Sequence, residues 1–284
     1  MKKTLLIITL ILAILSPRAG LYAAQKRYIS LAPSTTEILF ALGLDEEIAG
    51  VSSYCNYPLK AKLKEKVGDF SRPNIEKIVS LRPDYIFCTG LEQAPVIAEL
   101  RRLNLKVCVS DPVNLEGVFD SIREIGKITG RVNAAENLIN NMQDEVQEVS
   151  SKVKLIPLEK RPKVFIEIWY DPLTTAGKGS FVNELLILAG GVNIAGDTRI
   201  PYSIFSPEEV IRRNPDCIIF AYMDPKKPQK LLEGRLGWRG ISAVKNNRLY
   251  NDINPDILLR PSPRIVLGIK EIHRRLYLKD EPVN

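Results

Sequence analysis

Histidine is nearly absent: the 284 residues contain one, His273. A Ser-His-Asp or Cys-His mechanism would have to run through that single imidazole. It lies in an amphipathic C-terminal segment beside Arg274 and Arg275, whose charges disfavour its protonated form, so a helix-surface or partly packed role is expected. One histidine also cannot build a zinc or manganese site of several imidazoles. Cysteine is sparse as well, at positions 55, 88, 108 and 217, with no CxxC spacing that would hold a metal or a redox couple. Cys88 and Cys108 are the nearest pair and fall at the ends of expected strands, which leaves a bridge between them open in an oxidising compartment. No block of like charge stands out: 40 Lys and Arg are interspersed with 33 Asp and Glu. That mixture reads as a solvated surface and excludes a nucleic-acid tract.

Two further absences narrow the class. The segment Thr175-Ala-Gly-Lys178-Gly-Ser180 is not a phosphate loop, because Pro172 stands where glycine belongs and Gly179 where serine or threonine must follow lysine. It is expected to be a tight turn after a strand. The longest apolar run, Leu5 to Leu15, is about half of the ~20 residues a membrane-spanning helix needs. Lys2 and Lys3 precede it and Ala23 and Ala24 close it, the order of a cleaved signal peptide over residues 1–24. No cysteine stands near Ala24 to carry a lipid, since the earliest is Cys55. A periplasmic, soluble mature chain is expected. Losing Lys2, Lys3 and Arg18 lowers the formal charge from +7 to +4.

In the mature chain, short β-branched and aromatic runs alternate with amphipathic segments, which predicts an α/β protein built on parallel sheets. Expected strands are Arg27 to Leu31, Ile48 to Ser53, Tyr85 to Cys88, Lys106 to Val109, Val164 to Ile168, Cys217 to Ala221 and Arg248 to Tyr250. Expected helices include Thr35 to Leu42, Ile75 to Leu81, Asn183 to Ala189, Pro207 to Arg213 and Ser262 to Leu276. Between the halves, Leu138, Met142, Val146, Val149 and Val153 recur at helical spacing, opened by an Asn133/Glu136 capping box and ended by Pro157. The expected organisation is an N-terminal α/β lobe over 25–130, a single long spanning helix within 131–157 and a C-terminal α/β lobe over 158–284.

An internal repeat supports two lobes. Glu76 precedes Pro83-Asp84 and a strand, and Glu208 precedes Pro215-Asp216 and a strand, at the same spacing. The helix Glu37 to Gly43 likewise matches Glu184 to Gly190, each closed by glycine. Two such lobes imply a ligand cleft between them.

The stretches SLAPSTTEILFALGL from Ser30, AGVSSYCNYP, VGDFSRPNIEKIVSLRPDYI, DTRIPYSIFSPEEVI and NPDILLRPSPRI run in order along the whole mature chain. Together they resemble the cobalamin-binding components of ABC importers, within a wider group of helical-backbone substrate-binding proteins that also serve siderophores and haem. The resemblance implies a binding protein rather than an enzyme, without a cofactor of its own, monomeric, and partnered by a membrane permease dimer. It implies ligand contacts at Tyr54, Phe70, Tyr202, Asp256, Ile257, Leu258, Leu259 and Arg260, and permease docking through Glu76 and Glu208. A corrin is a broad apolar disc edged with neutral amides, so aromatic faces would pack on it and a carboxylate would accept its amide hydrogens. Family members often carry tryptophan where this chain has Phe70, Thr89 and Tyr202, and Trp169 and Trp238 fall elsewhere. Haem or a ferric siderophore is the alternative ligand, which a cluster of Arg or Tyr at the cleft would favour.

Overall fold

The computed structural model describes residues 25–222 and 228–277; the expected leader, residues 1–24, lies outside them. The first half alternates β1 (Tyr28–Ser30), α1 (Pro33–Ala41), β2 (Ile48–Val51), α2 (Ile75–Ser80), β3 (Tyr85–Cys88), α3 (Ala94–Arg102) and β4 (Val107–Val109). The four strands form a parallel sheet in the order β2-β1-β3-β4. Crossover helices cover both faces of such a sheet, so its strands are apolar on both sides. Along β3, Ile86 and Cys88 pack into one cluster while Phe87 packs into another on the opposite face.

Two antiparallel helices follow. Helix α4 (Leu115–Thr129) ends at Gly130 with φ 73°, and this left-handed turn leads directly into α5 (Val132–Lys154). Its 23 residues make α5 ~34 Å long at 1.5 Å per residue. Met142, Val149 and Val153 are buried on the expected face, with Leu138 and Val146 packed beside them. The expected capping box is not used, because the Gly130 turn starts the helix before Asn133. Arg131 is the N-cap without a side-chain bond, and Glu136 instead approaches Arg123 at 3.5 Å.

The second half contains β5 (Lys163–Tyr170), β6 (Leu173–Ala176), α6 (Phe181–Leu188), β7 (Val192–Asn193), β8 (Tyr202–Ile204), α7 (Pro207–Arg213) and β9 (Cys217–Phe220). After these come α8 (Pro228–Leu231), α9 (Ser242–Lys245), β10 (Leu249–Tyr250), α10 (Asp256–Leu259) and α11 (Ile265–Tyr277). Its sheet runs β10-β9-β5-β6-β8, with β7 also on β5. This sheet is mixed, which corrects the expectation of two wholly parallel ones. Only Asp171 and Pro172 separate β5 from β6, too few for a crossover, so the pair is an antiparallel hairpin, and β8 adds antiparallel to β6.

The repeat has a structural cause. Asp84 accepts the Arg27 N–H at 2.9 Å and returns its own N–H to the Arg27 carbonyl at 2.8 Å; Asp216 does the same to Lys163 at 2.7 and 2.8 Å. Each Pro-Asp therefore sets the start of the first strand of its half against the strand that follows the aspartate. Gly43 and Gly190 close the matched helices with φ of 70° and 90°.

The chain crosses between the sheets once, through α5, but the halves share more than that crossing. One hydrophobic cluster runs through Ile38 and Leu39 of α1, Met142 and Val149 of α5, Leu185 and Leu186 of α6, and Ile269 of α11. The matched glutamates also cross: Glu37 reaches Arg260, Ser262 and Arg264, and Glu184 accepts the Leu115 N–H at 2.8 Å. All four cysteines are buried and free. A Cys88–Cys108 bridge is excluded by register: Cys88 stands opposite Val109 and Cys108 opposite Phe87, so the two thiols point to opposite sheet faces. Burial pushes both up to about 12.

Candidate functional site

The opening motif Ser30 to Glu37 is a strand-to-helix turn with its hydroxyls folded inward. The Thr36 hydroxyl donates to Ser30 Oγ at 2.7 Å and lies 3.0 Å from Cys55 Sγ, and the Thr35 hydroxyl donates to the Ala32 carbonyl at 3.0 Å. With Ser30, Thr35 and Thr36 fully buried, these mutual bonds are what make burial tolerable. Pro33 sets the first turn of α1, and Ala32, Pro33 and Ser34 are left at the lip of a cavity of about 670 Å³.

That cavity lies between the sheets. Its N-terminal wall follows the carboxyl ends of β1, β3 and β4, at Pro33, Thr89, Gly90 and Asp111 to Val113. Carboxyl ends of parallel strands are the usual place for a ligand in open α/β sheets. The other wall comes from Gly179 to Phe181, Pro201 and Tyr202, and the Pro255 to Pro261 segment. The expected turn falls at Gly177 to Ser180, after Thr175 and Ala176 complete β6, with Gly179 at φ 81° and Ser180 capping α6. An adjoining recess of about 440 Å³ shares Phe70, Asp256 and Arg260 and adds Tyr54, Asn56 and Asp69.

Tyr54, Phe70, Tyr202, Asp256, Leu259 and Arg260 thus surround one continuous cleft. Ile257 and Leu258 do not, and here the expectation is corrected. Residues 256–259 form one helical turn, α10, so successive side chains step by about 100°. Asp256, Leu259 and Arg260 share the cleft face, whereas Ile257 packs against the shared core and Leu258 is fully buried within it.

The aromatic loops are tied to the fold from behind. Ser53 donates both its N–H and its hydroxyl to the Gly68 carbonyl at 2.9 Å, joining the Tyr54 and Phe70 loops. Gln93, fully buried, donates to the carbonyls of Leu31 at 3.1 Å and Phe70 at 2.7 Å, and accepts the Thr89 N–H at 2.9 Å. Burial raises the Tyr202 phenol above its ordinary value. Neither Gln93, whose amide reaches Leu31 and Phe70, nor Asp111, whose Oδ1 accepts the Thr89 hydroxyl at 3.1 Å, is marked by periodicity or motif, because these contacts are distant in sequence.

Behind the rim lies a compact charge cluster. Glu37, 3% exposed, accepts Arg264 Nε and Nη2 at 2.8 and 2.7 Å, Arg260 Nη1 at 2.7 Å and the Ser262 hydroxyl at 2.7 Å. Arg260 Nη2 reaches Asp256 at 2.8 Å and its Nη1 reaches Asn56 at 2.9 Å. The bond to Glu37 is the main cause holding the Arg264 guanidinium above its ordinary value, and the same group lies 3.7 Å from the Tyr57 ring centre. Among the described residues lining the cleft, the carboxylates are Asp69, Glu92, Asp111 and Asp256, against Arg260 as the one basic side chain. The cleft therefore presents acceptors.

The remaining expected positions lie outside it. Glu76 and Glu208 are exposed on the first turns of α2 and α7, and Glu208 accepts the Ser206 hydroxyl, which lowers its carboxyl. His273 is partly packed, with Nδ1 3.0 Å from the Ala189 carbonyl and its ring 5.0 Å from that of Tyr277. No group of three or more His, Cys, Asp or Glu suited to a metal ion occurs among the described residues.

The periplasmic binding protein family model matches residues 29–254. A Bacillus subtilis (strain 168) protein named as an uncharacterized ABC transporter substrate-binding lipoprotein, YvrC, is 35% identical over 89% of this chain and 80% of its own length. The vitamin B12-binding protein of Salmonella choleraesuis (strain SC-B67) is 31% identical over 93% of this chain and 94% of its own. A crystal structure of a possible iron-binding (periplasmic solute-binding) protein from Staphylococcus epidermidis ATCC 12228 superposes with a TM-score of 0.78 at 31% identity, covering 88% of this chain and 98% of that one. With a sheet on each side of one helix-spanned cleft, the chain belongs to the periplasmic binding protein family, as a substrate-binding component of an ABC importer that works with a membrane permease and is not an enzyme.

Proposed function

We propose that the chain captures cobalamin or a related corrinoid in the periplasm, after removal of residues 1–24, and delivers it as a monomer to a dimeric ABC permease. The observation that carries this reading is the sign of the cleft: four carboxylates against one guanidinium that is already bound to Glu37. A corrin offers neutral amide donors around an apolar disc and gains from acceptors. Haem propionates and most ferric siderophores are anionic and would lose by facing them. Phe70, Leu259 and the exposed rings of Tyr54 and Tyr202 supply the apolar face, and Asp256 and Arg260 the amide contacts. The relative that binds vitamin B12 supports the same assignment. The cleft offers no histidine to the metal, so the cobalt keeps its own ligands.

A second reading, an iron chelate or haem held through a phenolate, draws on Tyr54 and Tyr202 at the rim and on the Staphylococcus epidermidis relative. Absorbance titration with cyanocobalamin, haemin and a ferric siderophore decides between them. Saturable binding of cyanocobalamin at the lowest concentration supports the proposal, and tighter binding of haemin or the siderophore overturns it. Delivery is assigned to Glu76 and Glu208, matched carboxylates that would each meet a cation on one permease subunit. Charge pairs of this kind steer and orient docking more than they add affinity. Glu76→Lys with Glu208→Lys should keep corrinoid binding and abolish uptake in reconstituted vesicles; uptake at the wild-type rate would remove them from the docking surface.

A further inference from the structure

The four charges behind the rim balance: Glu37 and Asp256 against Arg260 and Arg264, with side chains of Glu37, Arg260 and Arg264 exposed by 2, 13 and 14%. Their placement is unequal. Asp256 and Arg260 line the cleft, while Glu37 and Arg264 do not. Glu37 uses both oxygens on guanidiniums, and Asp256 holds Arg260 Nη2 at 2.8 Å on one oxygen and accepts Asn56 Nδ2 at 3.3 Å on the other, which lies 3.9 Å from Arg264 Nη2. Charges this well shielded are screened little by salt.

We propose that Glu37 is a specificity-determining residue that acts through its neighbours: by holding Arg260 and Arg264 it keeps the rim from presenting net positive charge and leaves Asp256 able to accept amide hydrogens, so that a neutral amide-edged ligand is preferred over an anionic chelate. This rests on the reading of the cleft as a corrinoid site. Without the Glu37 charge, Asp256 becomes, among the described residues, the only carboxylate within reach of the Arg260 and Arg264 guanidiniums. Arg260 is already bonded to it, and the Tyr57 ring keeps Arg264 in place beside it. Arg264, now 3.9 Å away, would then close on Asp256 as well, so its remaining acceptor capacity is consumed internally and the excess cation faces the cleft. Glu37 lies 223 positions from Arg260 in sequence, on the opposite half of the molecule. The same cluster therefore couples the charge of the rim to the fit of one half on the other.

The test uses the full mature chain and two probes, cyanocobalamin and haemin, a dicarboxylate. Glu37→Gln keeps the size and one acceptor oxygen while removing the charge. It should raise the cyanocobalamin Kd about tenfold or more, as expected for losing a bond to a charged acceptor, and lower the haemin Kd. Adding Arg264→Gln returns the cluster to neutrality and should restore the ratio of the two constants. Arg264→Gln alone leaves one negative charge in excess and should move the ratio the opposite way, a measurement that stands even if Glu37→Gln fails to fold. An unchanged ratio in the folded variants, or an equal weakening of both probes that Arg264→Gln does not reverse, would overturn the proposal. If the wild-type chain prefers haemin, the corrinoid reading fails, yet the direction of each shift still tests the role of Glu37.

Discussion

Replacing Gln93 by leucine isolates what holds the Phe70 loop against the cleft. The two side chains are similar in size, so little cavity is created, but three hydrogen bonds disappear: to the carbonyls of Leu31 and Phe70, at 3.1 and 2.7 Å, and from the Thr89 N–H at 2.9 Å. Each net bond contributes ~0.5–1.5 kcal/mol, and a buried partner left unpaired costs ~1–3 kcal/mol. Leu31 is fully buried, so its carbonyl is the group water replaces least well, whereas Thr89 is only half-buried. The expected loss of stability is therefore about 2–4 kcal/mol, built from one fully unpaired acceptor and two bonds partly replaced by solvent. Urea denaturation should show a lower midpoint at an unchanged slope. Corrinoid affinity should fall several-fold as well, because Phe70 would have to be ordered on binding instead of being held in advance. A stability loss below ~0.5 kcal/mol together with unchanged affinity would refute the reasoning, since it would mean that solvent satisfies all three groups and that Gln93 does not hold the loop.

Asp256→Ala should weaken corrinoid binding by ~1.5–3 kcal/mol, the range for hydrogen bonds to a charged group; calorimetric titration of a correctly folded variant at wild-type affinity would end its assignment as an amide acceptor. At Gly68, φ is 104° and an added Cβ would lie 2.7 Å from Asn74 N, 2.8 Å from Pro73 Cα and 2.9 Å from the Arg72 carbonyl, all backbone that cannot step aside. Gly68→Ala should cost at least ~1–3 kcal/mol in urea unfolding and displace Phe70, and wild-type stability would show that the turn accepts a side chain. Hydrogen bonds from Arg274 and Arg275 hold the Glu271 carboxyl below its ordinary value. A depressed acid contributes stability above its unfolded pKa of ~4.3 and loses it as pH falls through the lower folded value, so Tm should drop on acidification below about pH 4.3 and Glu271→Gln should flatten that dependence. A variant whose Tm falls with acid as steeply as the wild type would show that Glu271 is not among the responsible groups.

Much of the architecture is a local property and can be read from local pattern. The face of α5 follows from Leu138 to Val153 at helical spacing, and the strands at Tyr85 to Cys88 and Cys217 to Phe220 from short apolar runs after Pro-Asp. The Pro-Asp repeat was visible as sequence, and its cause is a local reciprocal bond to the neighbouring strand. The amphipathic helices α3 and α4 were not anticipated, although both carry a helical apolar face. The antiparallel pairs β5-β6 and β6-β8 were also missed, because the short runs Leu173 to Ala176 and Tyr202 to Ile204 carry too few residues for alternation to declare a strand. Around the cleft, Tyr54, Phe70, Tyr202, Asp256 and Arg260 were pointed to by the resemblance of their motifs to a known family, whereas composition and periodicity did not single them out. Whether 256–260 is extended or a helical turn depends on how it seats against α6 and α11, and that seating sends Ile257 and Leu258 into the core. Glu37 meeting Arg260 and Arg264, and Gln93 meeting Phe70, are encounters between distant segments. Local pattern specified the longer parallel strands, the spanning helix and the residue types available to the site, because periodicity and turn residues act over a few positions; the short antiparallel strands, the sign of the cleft and the support of its loops came from the tertiary fold, because only folding sets which charge neutralises which.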